Sequence, residues 1–349
     1  MIGKTTVHDN NNRTGKPGGN MLKINKGLRF VTIATGAALL TMIIGSFAHA
    51  AGATMRMSAE PSDVGLMHWW AMDKGIFKKN GLEYTFTQVN TAAIALQAIG
   101  ANSNDVVSLT EPPVVFNVSK GVEVTIVGAV ALGQGVFKLV APMAITNVEQ
   151  LKGKKVTWMA GTGGEYAWIR YLESKKIPLK DFQFINLEPS EGVPALINGS
   201  VDGLWQWEPW PRKAVSIKPD GFHVIATSSD ETYQGYYITV VRKQFADEHP
   251  NEVIAYMKSL REAADQINAN PDEAAEFYAK RLRISVPEAK TAIKDYKIGP
   301  QLNNDVLKSL TDVSDYLVAN GKVAKKVDWK SLVDAKFLKA VDPKLVKDF

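Results

Sequence analysis

The chain has 349 residues and a formal net charge of +5, and it contains no cysteine. Residues 1–50 hold six of the 41 basic and one of the 36 acidic residues, so the rest of the chain carries 35 of each sign. A neutral chain gives no electrostatic argument for a nucleic-acid partner or an anionic membrane surface. The absence of cysteine from the sequence excludes disulfides, thiolate catalysis, cysteine-ligated metals and a lipid-modified cysteine.

Residues 1–50 end in the pattern of a cleavable signal peptide. Lys23, Lys26 and Arg29 precede an apolar run, and Ala48 and Ala50 provide the small residues of an A-x-A cleavage site. The run is shorter than the ~20 apolar residues that a membrane-spanning helix needs. We therefore predict cleavage after Ala50 and a periplasmic product that is not a lipoprotein. An uncleaved membrane anchor is the alternative.

After residue 54, short strand-like runs alternate with helix-like runs. Pro112 and Pro250 suit helix starts, and Gly75 and Gly121 suit helix ends. The predicted strands are 54–59, 84–89, 105–109, 155–159, 182–186, 201–207 and 236–241, and the predicted helices are 62–75, 91–99, 111–121, 164–174, 193–198 and 250–268. This alternation is typical of an α/β fold around mainly parallel sheets. Beyond residue 241 we expect almost only helices.

The chain is long enough for two lobes. Without residues 1–50 it keeps about 300 residues, more than a single hydrophobic core usually supports. We predict that lobe one comprises residues 51–140 and 237–349 and that lobe two comprises residues 141–236. Two crossings, near Leu139–Ala141 and Tyr236–Val241, would connect the lobes and allow hinge closure.

Residues suited to catalysis or metal binding are scarce. After residue 50 the histidines are His68, His223 and His249, which are widely separated and lack the spacing of metal ligands. The glycine-rich segment 161–164 lacks the Lys-Ser/Thr pair of a phosphate-binding loop, and Glu165 follows it. We therefore expect no catalytic residues, no metal and no cofactor.

Unusual residues follow the predicted strands at four strand-to-helix junctions, namely 60–62, 110–112, 161–166 and 205–210. Because open α/β sheets bind ligands at the carboxyl ends of their strands, these junctions could converge on one cleft. Each glutamate could instead cap its helix, and each tryptophan could pack in the core. The predicted ligand-binding residues are Glu60, Trp69, Trp70, Thr110, Glu111, Gly163, Glu165, Tyr166, Trp207, Glu208, Trp210 and Tyr236.

Four ordered segments carry a family resemblance that covers nearly all of residues 54–345. They are Met72–Glu83, Leu151–Val156, Asn198–Gly203 with Trp207-Glu208-Pro209, and Val241–Phe245 with His249-Pro250. In this order they resemble the substrate-binding proteins of nitrate, sulfonate, taurine and thiamine-precursor ABC importers. The resemblance implies a periplasmic-binding-protein type II fold with two α/β lobes, a hinge of two crossings and C-terminal helices. It also implies capture of a small ligand by lobe closure.

The ligand implied by the resemblance is of the taurine or aliphatic sulfonate type. Ser58-Ala59-Glu60-Pro61 resembles the taurine-binding members, which implies that Glu60 holds an ammonium group. Thr110 followed by Glu111 departs from the sulfonate pattern, and Tyr236 and Tyr237 replace an aspartate of the taurine type. Four glutamates and several aromatic rings at the junctions favour a zwitterion or cation over a plain anion. A thiamine precursor, a guanidinium or an amine is therefore the alternative ligand.

The partners implied by the resemblance are an ABC permease and its ATPase at the inner membrane, and we expect a monomer. Two other classes of function stay open. Pyrimidine synthases of thiamine biosynthesis resemble this fold, but the predicted signal peptide and the lack of cysteine argue against an enzyme. A binding protein that feeds a chemoreceptor or sensor has no sequence feature that distinguishes it from a transport protein.

Overall fold

A computed structural model describes residues 52–228 and 232–349 of the chain. The predicted signal peptide and its cleavage site lie outside the described residues. Within the described part of the chain, no helix is long and apolar enough to cross a membrane.

Eleven strands of the described residues form two separate sheets. The six-stranded sheet has the order β11-β4-β10-β3-β1-β2, and the five-stranded sheet has the order β7-β6-β8-β5-β9. The strands are β1 (Met55–Ala59), β2 (Tyr84–Gln88), β3 (Val106–Leu109), β4 (Val124–Gly133), β5 (Phe137–Pro142), β6 (Lys155–Trp158), β7 (Gln183–Asn186), β8 (Gly203–Trp207), β9 (Phe222–Thr227), β10 (Gly235–Arg242) and β11 (Tyr296–Gln301).

Helices follow most of the strands and form the C-terminal part. The helices are α1 (Leu66–Asp73), α2 (Ile76–Lys79), α3 (Ala92–Gly100), α4 (Glu111–Ser119), α5 (Gly163–Ser174), α6 (Pro189–Ile197), α7 (Trp210–Ile217), α8 (Lys243–Glu248), α9 (Pro250–Ala269), α10 (Pro271–Leu282), α11 (Val286–Lys294), α12 (Asn304–Ala319), α13 (Trp329–Leu332) and α14 (Lys336–Val341). Short 3-10 turns lie at Asp63–Gly65, Val148–Leu151, Leu179–Asp181 and Pro343–Leu345.

Both sheets are mixed, which corrects the expectation of mainly parallel sheets. β1 pairs in parallel with β2 and β3, and β6 pairs in parallel with β7 and β8. β10 and β5 run antiparallel to their neighbours. The reason is the chain path, because β5 and β10 each enter their sheet from the other sheet. They start at the edge where the parallel strands end and therefore run in the opposite direction.

The connections between the sheets differ in position from the predicted crossings. The first lies between Gly133 and Phe137, and the second follows Thr227 and precedes Gly235. Residues 139–141 and 236–241 instead lie inside β5 and β10. β5 belongs to the five-stranded sheet, whereas the sequence predicts residues 137–140 in lobe one. An apolar, β-branched segment indicates a strand but contains no information about which sheet the strand joins.

The C-terminal helices pack on the six-stranded sheet. α9 contacts α1 and β11, and α13 and α14 contact β4. α9 buries an apolar face at helical spacing, including Val253, Tyr256, Leu260 and Ile267. The expectation of an almost entirely helical C-terminal part missed β11, whose pairing partner β4 is buried along its whole length and lies about 170 residues earlier in the chain.

Candidate functional site

A cavity of about 30 Å³ lies between the two sheets. It is found at the carboxyl ends of β1, β3 and β8, where the sequence placed the ligand cleft. A volume of roughly 10–15 Å³ already holds one water molecule, so the cavity has room for a small group of atoms. The lining residues are Glu60, Thr91, Ala92, Ala93, Leu109, Thr110, Pro113, Phe137, Thr162, Gly163, Gly164, Trp207 and Tyr237.

Glu60 supplies the negative charge of this cavity. Among the described residues that line it, no other side chain is charged. Glu60 follows β1 directly, and its Oε2 accepts a hydrogen bond of 3.0 Å from the backbone N–H of Ala92, the first residue of α3. Burial raises the pKa of the Glu60 carboxyl, and the hydrogen bond from Ala92 opposes that shift. A ligand group that donates hydrogen bonds or carries positive charge would compensate this carboxylate.

Three helices begin at the cavity, each with a threonine at its N-cap. The polar groups of these helix starts differ in whether they are already hydrogen-bonded within the protein. Thr91 precedes α3, Thr110 precedes α4 and Thr162 precedes α5. The Thr162 hydroxyl accepts from the N–H of Gly164 at 3.1 Å. Within the described residues the hydroxyl of Thr91 is buried without a hydrogen-bond partner, so it is available to a ligand.

Helix α4 offers a ligand few backbone donors. Its second and third residues are Pro112 and Pro113, which have no N–H group. In α3 the first N–H is already engaged by Glu60. α5 begins with Gly163, a residue that lines the cavity. Helix N-termini favour anions, so the start of α5 is the better place for a negatively charged ligand group.

Trp207 lines the cavity as predicted for a residue near the end of β8, whereas Trp205 packs in the core. The Trp205 indole N–H donates a hydrogen bond of 2.9 Å to the carbonyl oxygen of Gly164. Its ring lies against Trp168 and Tyr171. Trp205 therefore holds the first turn of α5 next to the cavity.

Glu111 lies behind the cavity and does not line it. Its Oε2 accepts a hydrogen bond from the Tyr233 hydroxyl at 2.5 Å, and its Oε1 accepts from the Ser309 hydroxyl at 2.5 Å and the Tyr236 N–H at 2.9 Å. Burial raises the pKa of the Glu111 carboxyl. The side chain thus joins α4, α12 and the start of β10, which is a structural role instead of the predicted ligand contact.

Glu165 and Tyr166 lie on a different face of α5. Glu165 accepts from the N–H of Gly161 at 2.8 Å and lies 3.7 Å from the Lys322 ammonium. Tyr166 contacts Tyr233 and Tyr316 edge to face. Both residues line a neighbouring space of about 310 Å³ between α4, α5 and α12. The glycine-rich turn before α5 places only its last residues, from Thr162 to Gly164, at the smaller cavity.

Glu208, Trp210 and Tyr236 are also outside the cavity. Glu208 pairs with the Lys138 ammonium at 2.7 Å. Trp210 lines a separate groove between α7 and the α10–α11 connection. Tyr237, and not Tyr236, contributes to the cavity, because neighbouring residues of a strand point to opposite faces.

Trp69 and Trp70 belong to the core and not to the cavity. Trp69 stacks on Tyr278 of α10, and the Trp70 indole N–H donates to the Gln266 side chain of α9 at 2.9 Å. Both rings are at most 2% exposed. The placement differs from the prediction because α9 and α10, about 200 residues later in the chain, cover α1.

The cavity contains residues that the sequence reasoning missed. Thr91 and Thr162 precede helices just as Thr110 does, so the same capping pattern would have found them. Phe137 and Tyr237 begin or lie in strands that enter from the other sheet, and nothing local indicates that they reach the cavity.

The histidines have structural surroundings. His68 Nε2 lies 2.7 Å from the Tyr256 hydroxyl, and burial lowers the pKa of His68 to about 4. His223 Nε2 lies 2.7 Å from the carbonyl oxygen of Ile145. Across residues 52–228 and 232–349, no group of three or more His, Asp or Glu side chains is arranged to hold a metal ion.

Comparison with solved structures defines the class of fold. The alkanesulfonate-binding protein SsuA of Xanthomonas axonopodis pv. citri, bound to MOPS, superimposes with a TM-score of 0.74 over 82% of this chain and 99% of its own, at 18% identity. The periplasmic nitrate-binding protein NrtA of Synechocystis PCC 6803 superimposes with a TM-score of 0.69 over 84% of this chain and 89% of its own, at 14% identity. The chain therefore has the predicted fold of periplasmic binding proteins, with two α/β sheets and a cavity between them.

The sequence comparison then gives the family. The family model described as NMT1/THI5 like matches residues 67–274, and the chain belongs to this family. The taurine-binding periplasmic protein of Escherichia coli (strain K12) is 26% identical over 299 residues, which cover 80% of this chain and 90% of the relative. The predicted resemblance to substrate-binding proteins is thus confirmed.

Proposed function

We propose that this chain is the periplasmic binding component of an ABC importer and that it captures a small zwitterion of the taurine type. The observation that carries the ligand assignment is the pairing of one buried carboxylate, Glu60, with the start of α5 across the same small cavity. An ammonium group would compensate Glu60, and a sulfonate would accept hydrogen bonds at the start of α5. The apolar rings of Phe137 and Trp207 would surround the short carbon chain between them.

Two other parts of the assignment belong to the same proposal. We assign lobe one to the elements of the six-stranded sheet and lobe two to those of the five-stranded sheet, with hinges after Gly133 and before Gly235. We also propose export with cleavage after Ala50, delivery of the ligand to a permease and its ATPase, and no catalysis. The sequence expectations and the names of the relatives support these three points.

The four glutamates do not contribute equally to this proposal. Only Glu60 lines the cavity, while Glu111, Glu165 and Glu208 are engaged by other residues. A single carboxylate suits one positive charge, so polyamines and dications are poor candidates. The second candidate is a small cation without an anionic end, because Trp207 and Phe137 offer ring faces beside Glu60.

A calorimetric panel tests the ligand assignment. The panel compares the contributions of the ammonium group and the sulfonate group to binding. It contains taurine, ethanesulfonate, ethylamine, guanidinium and nitrate. We expect taurine to bind at least tenfold more tightly than ethanesulfonate, which lacks the ammonium group, and than ethylamine, which lacks the sulfonate. Equal affinity for ethylamine and taurine would favour the cation, and equal affinity for ethanesulfonate and taurine would refute the role of the carboxylate.

The variant Glu60→Gln tests the same point from the protein side. It keeps the size of the side chain and removes the charge, so taurine affinity should fall by about tenfold to a hundredfold, as expected for a charged hydrogen bond of ~1.5–3 kcal/mol. Ethanesulfonate affinity should change little. Glu165→Gln, which alters a glutamate outside the cavity, is the matched control and should leave taurine binding unchanged.

A further inference from the structure

A cluster of five charged side chains lies where the two lobes meet, outside the ligand cavity. Lobe one contributes Asp63, after β1, and Asp295, before β11. Lobe two contributes Lys138 of β5, Glu208 after β8 and Arg212 of α7. We refer to these residues as the seam cluster. None of them lines the cavity around Glu60.

The pairings of the seam cluster are uneven. Lys138 Nζ lies 2.7 Å from Glu208 Oε1 and 3.0 Å from Asp295 Oδ2, so it forms ion pairs both within lobe two and across the seam. Arg212 Nη2 lies 3.5 Å from Glu208 Oε1 and 3.9 Å from Asp295 Oδ2. Its Nη1 lies 4.0 Å from Asp63 Oδ2. Arg212 is therefore near three carboxyls without forming a close pair with any of them.

Several polar atoms of the cluster are buried without a hydrogen bond. Within the described residues these atoms are Nη1 and Nη2 of Arg212 and Oδ2 of Asp63. The Asp63 side chain is 2% exposed and the Arg212 side chain is 9% exposed. The other carboxyl oxygen of Asp63 accepts from the Tyr278 hydroxyl. An ionised Asp63 is thus the least compensated carboxylate of the cluster.

The charges of the cluster do not balance. Three carboxylates face two cations, so the fully ionised cluster carries one uncompensated negative charge in a buried position. Burying an unpaired charge is costly, and a carboxyl group in this situation binds a proton instead. Asp295 is 23% exposed and lies 3.0 Å from Lys138, and Glu208 is close to both cations. Protonation of Asp63 therefore removes more of the electrostatic cost of the cluster than protonation of Asp295 or Glu208.

We propose that closing the two lobes takes up about one proton, which Asp63 holds opposite Arg212. In this structure, burial and the neighbouring carboxylates Glu208 and Asp295 raise the pKa of Asp63 to about 7, while Arg212 and Lys138 oppose the shift. We assign these contacts across the seam to the closed state. Opening the lobes would expose Asp63 to water and return its pKa toward the ordinary value of about 3.9. The proton then acts as a second ligand of the closed state.

The sign of the linkage follows from these two pKa values. The closed state has the higher pKa, so protonation favours closure. Between pH 7 and pH 4 the ratio of closed to open protein should rise by about tenfold for each pH unit that the pH falls, and above pH 8 it should be constant. The groups that face Asp63 from the surrounding elements are Arg212, Glu208, Lys138, Asp295, Tyr278, Tyr237 and Tyr296.

The proposal rests on the proposed function only in requiring that the lobes open and close. It can therefore be tested without any ligand. Because the sequence has no cysteine, Gln88→Cys and Ser190→Cys introduce two unique spin-label sites. Both positions are exposed, and they flank the contact of 3.3 Å between Asn90 and Glu188 that joins the two lobes. The distance between the labels reports closure.

Distance distributions at pH 8.5 and pH 5.5 give the decisive comparison. The wild type should shift toward the short distance at pH 5.5. Asp63→Asn keeps the acceptor for Tyr278 and should show the short distance at both pH values. Arg212→Met removes a cation that opposes the rise in the pKa of Asp63. The pH at which the label distance shortens should therefore be higher in this variant. Asp312→Asn alters an exposed acid of α12 and should behave as the wild type.

Two results would overturn the proposal. One is a wild-type distance distribution that does not change between pH 8.5 and pH 5.5. The other is a pH-dependent shift that persists in Asp63→Asn or disappears in Glu60→Gln, which would place the proton on the cavity carboxylate. A protein that shows the expected shift but binds no taurine would leave this inference standing and contradict the proposed ligand.

Proton uptake during ligand binding gives an independent check. With taurine as the probe, calorimetry at pH 6 in phosphate and in Bis-Tris separates the heat of buffer ionisation from the heat of binding. The wild type should take up a substantial fraction of one proton per taurine, reduced by the share that ligand-free closed protein already holds, and Asp63→Asn should take up close to none. Equal uptake in the two proteins contradicts the proposal.

Discussion

Glu60 and Glu111 each follow a buried strand, yet they have different surroundings. The Glu60 carboxylate accepts a hydrogen bond from the first N–H of α3 and lines the cavity. Glu111 accepts three hydrogen bonds from Tyr233, Tyr236 and Ser309 and lies away from the cavity. The strand end brings both carboxyls to the same edge of the sheet. Donors from distant parts of the chain decide which of them remains available to a ligand.

At the scale of single residues, His68 provides a pH-dependent prediction. Burial lowers the pKa of His68 to about 4 in the folded protein, below its ordinary value of about 6.5. The unfolded chain therefore binds the additional proton below pH 6.5, and the free energy of unfolding falls as the pH falls from 6.5 to 4. Between pH 7 and pH 5 this loss should be about 2 kcal/mol larger in the wild type than in His68→Phe.

Urea unfolding of both proteins at the two pH values measures this difference. The variant also loses the partner of the Tyr256 hydroxyl, but that loss is the same at both pH values and cancels in the comparison. Parallel losses of stability in the two proteins would show that His68 is protonated in the folded state.

At the scale of elements, the start of α5 lies against the start of α4 from the other sheet. A Cβ atom on Gly163 would lie 2.6 Å from the Thr110 hydroxyl oxygen and 3.1 Å from the Phe137 ring. The contact with Thr110 is closer than the atoms allow and the contact with Phe137 is tight, so Gly163→Ala should hold α4 and α5 apart and prevent full closure. Taurine affinity should fall more than tenfold, while the free energy of unfolding should change by less than about 1 kcal/mol.

Gly164→Ala is the matched control for this helix. A Cβ atom on Gly164 would meet the Thr162 hydroxyl at 3.2 Å and the Trp207 ring at 3.5 Å, neither of which belongs to α4 or to the six-stranded sheet. Closure should therefore survive this change better than it survives Gly163→Ala. Calorimetry gives the affinities and urea unfolding gives the stabilities. An unaltered affinity in Gly163→Ala would mean that the lobes bind ligand without bringing α4 and α5 into contact.

At the scale of the whole molecule, the ligand and the lobe contacts should act together. A ligand that binds only the folded, closed protein stabilises it by about 2.7 kcal/mol at a free concentration of 100 times its Kd. Taurine should therefore raise the midpoint of thermal unfolding of the wild type. At the same taurine concentration Glu60→Gln and Gly163→Ala should show a much smaller shift. A shift of equal size in all three proteins would indicate binding outside the cavity.

The sequence by itself determined much of the framework. Alternating strands and helices, together with the strand-end rule, located Glu60, Thr110, Gly163 and Trp207, all of which line the cavity. These four residues reach the cavity because a residue at the carboxyl end of a strand in such a sheet lies at that edge whatever its later neighbours are. Their role in ligand binding stays a prediction. The ordered motifs identified the family, and the comparisons confirmed it.

Only the tertiary structure decided the remaining assignments. α9 and α10 bury Trp69 and Trp70, and Tyr237 replaces Tyr236 at the cavity because of the face that β10 presents there. Lys138 and Arg212 meet Asp63 and Asp295 across the seam. The partners in these tryptophan contacts and ion pairs are about 80 to 210 residues apart in the chain. Local patterns predict what an element is, whereas its burial and charge partners depend on long-range packing.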